Sequence, residues 1–437
     1  MDHITVRHIV EAVSGTLLCG DADTELKHIS IDSRSMRGAD LFVPLIGEKS
    51  DAHRFLVQAM DNGAAAALTS EHEAAPEGFH GALIQVKDTK LALQTIGRCL
   101  RARLSIPLVG ITGSVGKTTT REMVAAALSA KYKTFKTPAN HNSQIGVPLT
   151  ISEISENDEI GVLELGMSEP GEMAVIAEIA AVDSAVMTNI GVTHIENLGS
   201  RENILKEKLH IQDGMKAGGI LFVNGDNDML STVHAKAGCH TIRYGLGADN
   251  DYRAEDLSYP DGFPSFTMVH GEVRVPVKLT VMGEHNVMNA LAALAVADAY
   301  GVPLADAAEK LLEFGGFKNR QQIYHKNGYT IVDDTYNANP LSMARMLDAA
   351  AESAQKRPFV VVLGEMRELG SDFMELADAH RVPAGKALAV DREAFSAAMT
   401  QRVRSTPGIT LVHRQITSLD DPALDGFETV VLAAGPM

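Results

Sequence analysis

A glycine-rich turn between an apolar strand and a long helix limits the fold of this chain more than any other feature. The turn reads Gly-Ser-Val-Gly-Lys-Thr over residues 113–118. Residues 106–111 before it have the pattern of a buried strand, and residues 117–132 after it have helical periodicity. Units of strand, turn and helix build parallel sheets, so the sequence predicts an α/β fold.

The same turn predicts a phosphate-binding loop. Its glycines let backbone N–H groups approach phosphate oxygens, and the start of the following helix adds partial positive charge. Lys117 can reach the β- and γ-phosphates, and the Thr118 hydroxyl suits Mg²⁺. Ile111 stands where the full GxxxxGK[ST] motif has glycine, so only GxxGKT is present; a turn without a ligand is the alternative. We predict an ATP site formed by Gly113, Ser114, Val115, Gly116, Lys117, Thr118 and Thr119.

The length of the chain and changes in its predicted secondary-structure pattern indicate three domains. A chain of 437 residues is long enough for about three. Residues 1–104 contain short predicted strands and helices in no regular order, and a regular alternation of strand, loop and helix begins near residue 105. Another α/β unit begins near residue 319. We therefore place the domains at 1–104, 105–318 and 319–437. Apolar runs predict further strands in the middle domain at 160–165, 185–190 and 220–223, and alanine-rich periodicity predicts a helix at 287–300.

Charge and cysteine content exclude several classes of protein. Lys and Arg number 39 against 56 Asp and Glu, a net charge of −17, so a broad basic surface for nucleic acid is absent. Three separate cysteines indicate neither a disulfide framework nor a thiolate zinc site. No apolar run approaches the ~18 residues of a membrane helix, and the first residues lack a signal-peptide pattern. We expect a cytoplasmic protein that binds neither nucleic acid nor membrane; the sequence does not specify its oligomeric state.

Polar residues follow two predicted strands of the middle domain. Glu164 ends one strand, and a carboxylate at that edge of a parallel sheet can face Mg²⁺ beside the phosphate loop. His194 follows the next strand, and Lys208 lies fourteen residues further on a helical segment. The alternatives are a solvated carboxylate, a structural histidine and a surface lysine. No HExxH motif occurs, so a catalytic zinc is not expected.

Later polar residues are candidates for contacts with nucleotide. Asn286 and Asn289 are three residues apart on the alanine-rich helix, so both can bind a purine edge or, for Asn286, cap the helix. Arg320 lies at the second domain boundary, where a moving domain can bring it to a phosphate. Asp334 lies in an Asp-Asp-Thr-Tyr-Asn-Ala-Asn-Pro run that either holds a ribose hydroxyl or is a polar entry to a helix.

Together these residues resemble the Mur ligase family of ATP-dependent amide-forming enzymes, collinearly over residues 29–380. The similarity includes Asp-Ser-Arg at 32–34, Thr-Pro-Ala-Asn-His-Asn-Ser-Gln at 137–144 and the run at 333–340. It also includes Gly-Glu-Met-Arg-Glu-Leu-Gly at 364–370. The last two runs are most similar to the member that adds a dipeptide amine to a UDP-linked muramyl peptide.

The resemblance implies a UDP-substrate domain, a central P-loop ATPase domain with a parallel sheet and a C-terminal dinucleotide-fold-like domain. That third domain would close on ATP and bind the amine. ATP and Mg²⁺ are the implied cofactors. The implied catalytic residues are Lys117, Lys208, His194 and Arg320. The implied magnesium ligands are Thr118, Glu164, His194 and, once carbamylated, Lys208. Beyond the loop, the implied ATP contacts are Asn286, Asn289, Arg320 and Asp334. The implied substrate contacts are Asp32, Ser33, Arg34, Asn140, Asn142, Tyr336 and Asn337.

Some positions depart from the family pattern. Ala139, Ser143 and Gln144 stand where glycine, asparagine and an acidic residue are common, and Asn319 replaces the usual glycine before Arg320. The sequence after residue 380 also departs from many relatives. Two alternatives therefore remain open: a related ligase with a different acceptor amine, and an ATP-binding homologue without turnover.

Overall fold

The computed structural model describes residues 1–335, except 2, 48–49, 317–321 and 327–328. Beyond residue 335 it describes four strands: Phe359–Leu363, Arg381–Val382, Ala389–Val390 and Thr429–Ala433. Within these described segments, no helix has the length and apolar character needed to cross a bilayer.

The first part of the chain forms a five-stranded sheet with helices against it. Its elements are β1 (Ile4–Thr5), α1 (Val6–Val13), β2 (Thr16–Cys19), β3 (Glu25–Leu26), β4 (His28–Ser30), β5 (Asp40–Phe42), α2 (Leu56–Asp61), β6 (Ala64–Thr69), β7 (Ala82–Gln85) and α3 (Thr89–Arg103). The sheet order is β2-β7-β6-β5-β4, parallel except for β2, and β1 pairs separately with β3. A single 3₁₀ turn, Ala52–Phe55, precedes α2.

The middle of the chain forms a nine-stranded sheet. Its strands are β8 (Leu108–Thr112), β9 (Thr134–Lys136), β10 (Ile160–Glu164), β11 (Ser184–Met187), β12 (Ile220–Asn224), β13 (His240–Gly245), β14 (Tyr252–Ser258), β15 (Ser265–His270) and β16 (Val273–Lys278). Its helices are α4 (Lys117–Leu128), α5 (Gly146–Glu153), α6 (Glu172–Ala180), α7 (Ile195–Leu198), α8 (Arg201–Leu209), α9 (Glu284–Ala299) and α10 (Leu304–Leu312).

The strand order of this sheet places the phosphate loop at a topological switch point. The order is β16-β15-β14-β13-β12-β11-β8-β10-β9, parallel from β9 to β14 and antiparallel through β15 and β16. From β8 the chain continues to β9 and β10 on one side and later to β11 on the other. In open α/β sheets, ligands bind beyond the carboxyl ends of strands at such a point. Strands β8, β10 and β11 are buried along their whole length, as expected for strands covered by helices on both faces.

The third part contains a four-stranded sheet. Its strands are β17 (Gln322–Lys326), β18 (Tyr329–Asp333), β19 (Phe359–Leu363) and β22 (Thr429–Ala433), in the order β17-β18-β22-β19. Strands β18, β22 and β19 are parallel, and β17 is antiparallel to β18. A separate antiparallel pair joins β20 (Arg381–Val382) to β21 (Ala389–Val390).

Helix α3 joins the first sheet to the middle one. Its residues Leu93 and Ile96 are buried in a hydrophobic cluster that contains side chains from both parts of the chain. A Cβ added at Gly97 would lie 2.9 Å from the Cβ of Pro148 on α5, so the two helices approach closely. Arg101 Nη2 forms a 2.9 Å ion pair with Asp183, just before β11. The first two sheets therefore share one core.

Candidate active site

The turn after β8 requires glycine at two positions. Gly113 has φ +151°, and a Cβ there would lie 1.9 Å from the hydroxyl oxygen of Thr188. Gly116 has φ +85° and directly precedes α4. Larger residues at these positions would be strained or would push the neighbouring segment away. The glycines predicted from sequence to form the loop therefore also determine its shape.

The start of α4 presents donors suitable for phosphate. The Thr120 N–H bonds to the Gly116 carbonyl at 2.9 Å and closes the first helical turn. The N–H groups of residues 117–119 precede that bond, and such groups have no acceptor within their own helix. The Lys117 ammonium donates to the Gly113 carbonyl at 2.9 Å, on the loop itself. The helix dipole and the first amides thus place partial positive charge at the start of α4, and the Lys117 ammonium lies against the loop that precedes it.

Glu164 is buried within an ion-pair cluster at the end of β10. Its carboxylate accepts hydrogen bonds from Arg121 Nη1 at 3.2 Å and from Asn142 Nδ2 at 2.8 Å. Arg121 is 1% exposed and also binds Glu122 and the carbonyl of Ala139. The alternative of a solvated loop carboxylate is wrong, because only 3% of Glu164 is exposed. Sequence reasoning missed Arg121, since a charged residue in a helix ordinarily indicates a solvated face.

Lys208 is buried on α8, close to the phosphate-loop lysine. It is 1% exposed, so the alternative of a surface lysine is wrong. Burial lowers the pKa of Lys208 well below its usual value; the charge of Lys117 lowers it further, and Glu207 opposes both effects. The Glu207 carboxylate is itself engaged by the Met173 N–H at 2.9 Å. Desolvation therefore favours a neutral amine at Lys208, the form that reacts with carbon dioxide.

His194 lies between the end of β11 and α7. It is half-buried, has φ +66° and caps α7, whose Leu198 N–H donates to the His194 carbonyl at 3.2 Å. Its backbone thus has a structural role that is compatible with a further role for its ring. Magnesium coordination by His194 stays a prediction.

The residues near the phosphate loop fit Mg²⁺ as a partner of a nucleotide. Thr118 and Glu164 offer hard oxygen donors, and the two Glu164 carboxylate oxygens are held by Arg121 and Asn142. Among the described residues, no three His, Cys, Asp or Glu side chains cluster closely enough to hold a metal. Mg²⁺ commonly uses one or two carboxylates together with substrate phosphates and water rather than a protein cage. A carbamate on Lys208 would add a further oxygen donor.

Asn286 and Asn289 connect the start of α9 to α4. Asn289 Nδ2 donates to Asn286 Oδ1 at 2.9 Å, and the Thr120 hydroxyl donates to Asn289 Oδ1 at 3.0 Å. Asn286 Nδ2 donates to the Met282 carbonyl at 2.7 Å. The residue at the N-cap position is Gly283, so the alternative of Asn286 as the helix cap is wrong. Contact of either asparagine with adenine stays a prediction.

The Asp-Ser-Arg segment follows β4, outside the middle sheet. Asp32 accepts three hydrogen bonds from Arg34, and these bonds lower the pKa of Asp32 to about 2. The Arg34 side chain is 79% exposed and stays accessible to an anionic ligand. Ser33 is buried, and its hydroxyl donates to Gln58 at 3.1 Å. The segment therefore presents Arg34 outward and Ser33 inward.

Several predicted site residues lie away from this cluster or outside the described structure. Asn140 is exposed, unlike Asn142, which joins the Glu164 cluster. Asp334 directly follows β18. Arg320, Tyr336 and Asn337 lie outside the described residues. The structure thus brings together the loop residues, Glu164 and Asn142 with Lys208 nearby, and it leaves the contribution of the third domain as a prediction.

Sequence reasoning also missed Asn189, which contacts the phosphate loop directly. Its carbonyl accepts the Ser114 N–H at 3.0 Å, and its side chain pairs with Val115. The sequence of the segment after β11 drew attention only to His194. The adjacency of β8 and β11 in a parallel sheet was the signal that could have indicated this contact.

Family models cover most of the chain in a fixed order. A model described as "Mur ligase family, catalytic domain" matches residues 25–102, "Mur ligase middle domain" matches 111–297 and "Mur ligase, glutamate ligase domain" matches 319–423. A UDP-N-acetylmuramoyl-tripeptide–D-alanyl-D-alanine ligase of Bacillus subtilis is 39% identical over 84% of this chain and 79% of that protein. This chain belongs to the Mur ligase family.

Other Mur ligases extend the similarity along the chain. The Escherichia coli protein with the same name is 31% identical over 94% of this chain and 89% of its own. The crystal structure of MurF from Acinetobacter baumannii superimposes with a TM-score of 0.80 at 27% identity, over 99% of this chain and 95% of that one. A Thermotoga maritima MurF ligase in complex with ADP gives a TM-score of 0.72 at 26% identity, over 94% of each chain.

Two departures from the usual Mur ligase pattern have a local structural context. Ala139, in place of glycine, has φ +46°, and its carbonyl accepts a hydrogen bond from Arg121. Gln144, in place of an acidic residue, donates to the Glu172 carboxylate at 2.9 Å. An acid at residue 144 would face Glu172 with like charge, so glutamine suits this neighbour.

Proposed function

We propose that this chain joins D-alanyl-D-alanine to UDP-N-acetylmuramoyl-tripeptide in an ATP-dependent reaction of peptidoglycan precursor synthesis. The single observation that carries the proposal is the similarity to proteins of that name, which extends through all three parts of the chain at 31% identity over 94% of its length. The phosphate loop and its surroundings support ATP as the nucleotide. Because the reaction consumes ATP, we place it in the cytoplasm.

The proposed reaction has two steps. A carboxylate oxygen of the tripeptide attacks the γ-phosphorus of ATP, so an acyl phosphate forms and ADP leaves. The dipeptide amine then attacks the acyl carbon, phosphate leaves with the bonding electrons of the acyl–oxygen bond, and the amine loses a proton. Neither step requires a nucleophilic side chain. Catalysis is therefore a matter of positioning and of stabilising charge on the transferring phosphoryl group.

We propose that Lys117 and the amides of residues 117–119 hold the β- and γ-phosphates. Their location on the loop and the first turn of α4, at the switch point of the sheet, supports this role. Arg320 would add charge from the third domain, and Asp334 would hold the ribose. Asn286 and Asn289 would contact the adenine. The connection of Asn289 to Thr120 supports the last assignment, because it links α9 to the helix that begins at the loop.

Thr118, Glu164 and His194 would hold Mg²⁺ together with the nucleotide, and the ion supplies positive charge that offsets the charge of the phosphates. Lys208 would contribute as a carbamate. Its burial beside Lys117 supports this modification, because burial favours the neutral amine that reacts with carbon dioxide and the charge of Lys117 attracts the resulting anion. Arg121 would hold Glu164 in place through the ion pair of 3.2 Å.

We assign the UDP-linked peptide to residues 1–104, with Asp32, Ser33 and Arg34 at the uridine-diphosphate end. The exposed guanidinium of Arg34 supports the assignment, since guanidinium groups bind phosphate well. Asn140 and Asn142 would contact the peptide near the phosphate loop. Residues 319–437 would bind the dipeptide amine, with Tyr336 and Asn337 as contacts.

Phosphate release tests the proposal. The full chain is incubated with ATP, Mg²⁺ and the UDP-tripeptide, with and without D-alanyl-D-alanine. We expect sustained phosphate release only when the dipeptide is present. The product should be heavier than the UDP-tripeptide by the two alanine residues. Sustained release only with another amine would indicate a ligase with a different acceptor. Nucleotide binding without release under any of these conditions would indicate a homologue that lacks turnover.

A further inference from the structure

Strands β8 and β11 continue to interact beyond the end of their ladder. Met187 is the last residue of β11 and pairs with Thr112 in register. The next residue, Thr188, donates its N–H to the Thr112 carbonyl at 3.0 Å. Asn189 then accepts the Ser114 N–H on its own carbonyl at 3.0 Å. The chain after β11 therefore follows the phosphate loop instead of leaving the sheet.

The side chain of Asn189 extends this pairing by one further position. Its Oδ1 accepts the Val115 N–H at 3.0 Å, and its Nδ2 donates to the Val115 carbonyl at 2.9 Å. Only one orientation of the amide satisfies both backbone groups, so the two bonds also fix the rotation of the side chain. The Thr188 hydroxyl donates to the same carbonyl at 2.7 Å. The amide thus binds Val115 as a neighbouring strand would.

This pairing determines which donors remain for phosphate. The N–H groups of Ser114 and Val115 point toward the segment 188–189 and are already hydrogen-bonded. The first N–H groups of α4 are the donors that a helix leaves without an acceptor of its own, and they lie directly after this pairing. Gly116 directly follows Val115, so the orientation of Val115 determines where that helix begins. The Gly191 N–H, which donates to the Ser114 hydroxyl at 2.9 Å, holds the same side of the loop.

We propose that Asn189 is a positioning residue that holds the phosphate loop in its nucleotide-binding conformation by pairing its amide with both backbone groups of Val115. The inference rests on the proposed ATP site and deepens it. Asn189 acts through Val115 and need not touch the nucleotide. An aliphatic residue of similar size would fill the space, leave the Val115 N–H without its acceptor and leave the Val115 carbonyl with the Thr188 hydroxyl as its donor.

Asn189→Leu tests the pairing in the full-length chain, with ADP as the probe in calorimetric titrations. We expect the dissociation constant for ADP to rise at least about tenfold, as for the loss of two hydrogen bonds of ordinary strength. Hydrogen exchange at the amides of Ser114 and Val115 should become faster without nucleotide. The KM for ATP should rise, while the KM for the UDP-tripeptide stays within about twofold. A matched control is Asn227→Ala. The Asn227 side chain accepts the Leu230 N–H in the turn after β12, so this substitution also removes an amide-to-backbone bond but should leave ADP affinity unchanged.

Asn189→Asp gives a second, isosteric test with a pH signature. The ionised carboxylate accepts the Val115 N–H but repels the Val115 carbonyl, whereas the protonated acid restores a donor and an acceptor. The Val115 carbonyl beside the new carboxyl raises its pKa above the ordinary value of about 3.9. Relative to the wild-type protein at the same pH, ADP affinity should therefore be weak at pH 8 and recover as the pH falls toward that pKa. Thr188→Val removes only one of two donors to that carbonyl and should show a smaller loss without recovery.

Two results would overturn the inference: ADP affinity of a folded Asn189→Leu protein within twofold of wild type, or a relative affinity of Asn189→Asp that is independent of pH. If Asn189→Leu does not fold, the aspartate variant decides alone. Absence of ADP binding by the wild-type protein would instead contradict the proposed function, so the two failures are distinguishable.

Discussion

Lys208 has an environment that disfavours its cationic form, because it is buried and lies near the charge of Lys117. If it acts as a carbamate, Lys208→Ala should lose nearly all turnover. Formate should restore part of it by supplying an anion at the vacated position. Lys206→Ala is the matched control, since Lys206 is exposed on the same helix and should retain wild-type activity. The measurement is the rate of phosphate release by each variant and by the wild-type protein, in buffers with and without formate. Full activity of Lys208→Ala without added acid would remove the lysine from the mechanism.

Lys117 differs from Lys208 because its ammonium lies on the loop that would hold phosphate, 2.9 Å from the Gly113 carbonyl. Removal of a charge that acts on the transferring phosphoryl group costs several kcal/mol in comparable sites, so Lys117→Ala should lose at least ~100-fold in turnover. Its melting temperature should change little. Lys131→Ala serves as a control just beyond the other end of α4, where Lys131 binds the Gly301 carbonyl. Turnover near wild type in a folded Lys117→Ala protein would falsify the assignment.

At the scale of elements, hydrophobic pattern and turn chemistry predicted the central strands well. The expected strand at 160–165 is observed as Ile160–Glu164, and the expected helix at 287–300 as Glu284–Ala299. The pattern works here because these elements are buried on both faces. The short edge strand Thr134–Lys136 was not predicted, since three partly exposed residues carry too little periodicity.

Contacts between elements were harder to predict than the elements themselves. The motif identified the phosphate loop because glycine, lysine and threonine at that spacing have a local reason to occur together. Arg121 and Asn189 have no such local signal, since each acts through a segment distant in sequence: Arg121 through Glu164, and Asn189 through Val115. Their roles depend on which strands are neighbours. Part of the candidate site therefore follows from local chemistry, and part follows only from strand order.

Arg121 connects α4, β10 and the loop before α5, so its loss should destabilise all three. Arg121→Met would leave the buried Glu164 carboxylate without the guanidinium that pairs with it, and it would leave Glu122 with Lys136 as its counter-charge. Breaking a buried pair from one side typically costs about 3–5 kcal/mol, and we expect a decrease of that order in the free energy of unfolding. Urea denaturation measures it. Arg98→Met removes a more exposed pair with Glu178 and should cost at most about 1 kcal/mol. Equal effects of the two variants would contradict the importance of the buried cluster.

For the molecule as a whole, the shared core of the first two sheets affects how the UDP-substrate site can be tested. Deletion of residues 1–104 would remove α3, whose Leu93 and Ile96 pack in the cluster that includes Val147 of α5. The remaining chain would expose that apolar surface to water. We expect the deleted protein to aggregate or to melt well below the full chain in a thermal scan. A deletion that melts like the full chain would show that the two sheets are independently stable.

A point substitution therefore separates substrate binding from folding better than a deletion. Arg34 is mostly exposed and pairs only locally with Asp32, so Arg34→Ala should leave the shared core intact. If its guanidinium binds the diphosphate, the variant should bind the UDP-tripeptide about tenfold more weakly, the effect of one lost hydrogen bond to a charged group. Its affinity for ADP should not change, because the phosphate loop lies in the other sheet. Arg7→Ala removes a comparable exposed pair with Asp23 and controls for the loss of surface charge.

Calorimetric titration of each variant with both ligands makes the comparison. Equal weakening of UDP-tripeptide binding by the two substitutions would indicate an effect of net charge, and unchanged binding by Arg34→Ala would move the substrate site away from this segment.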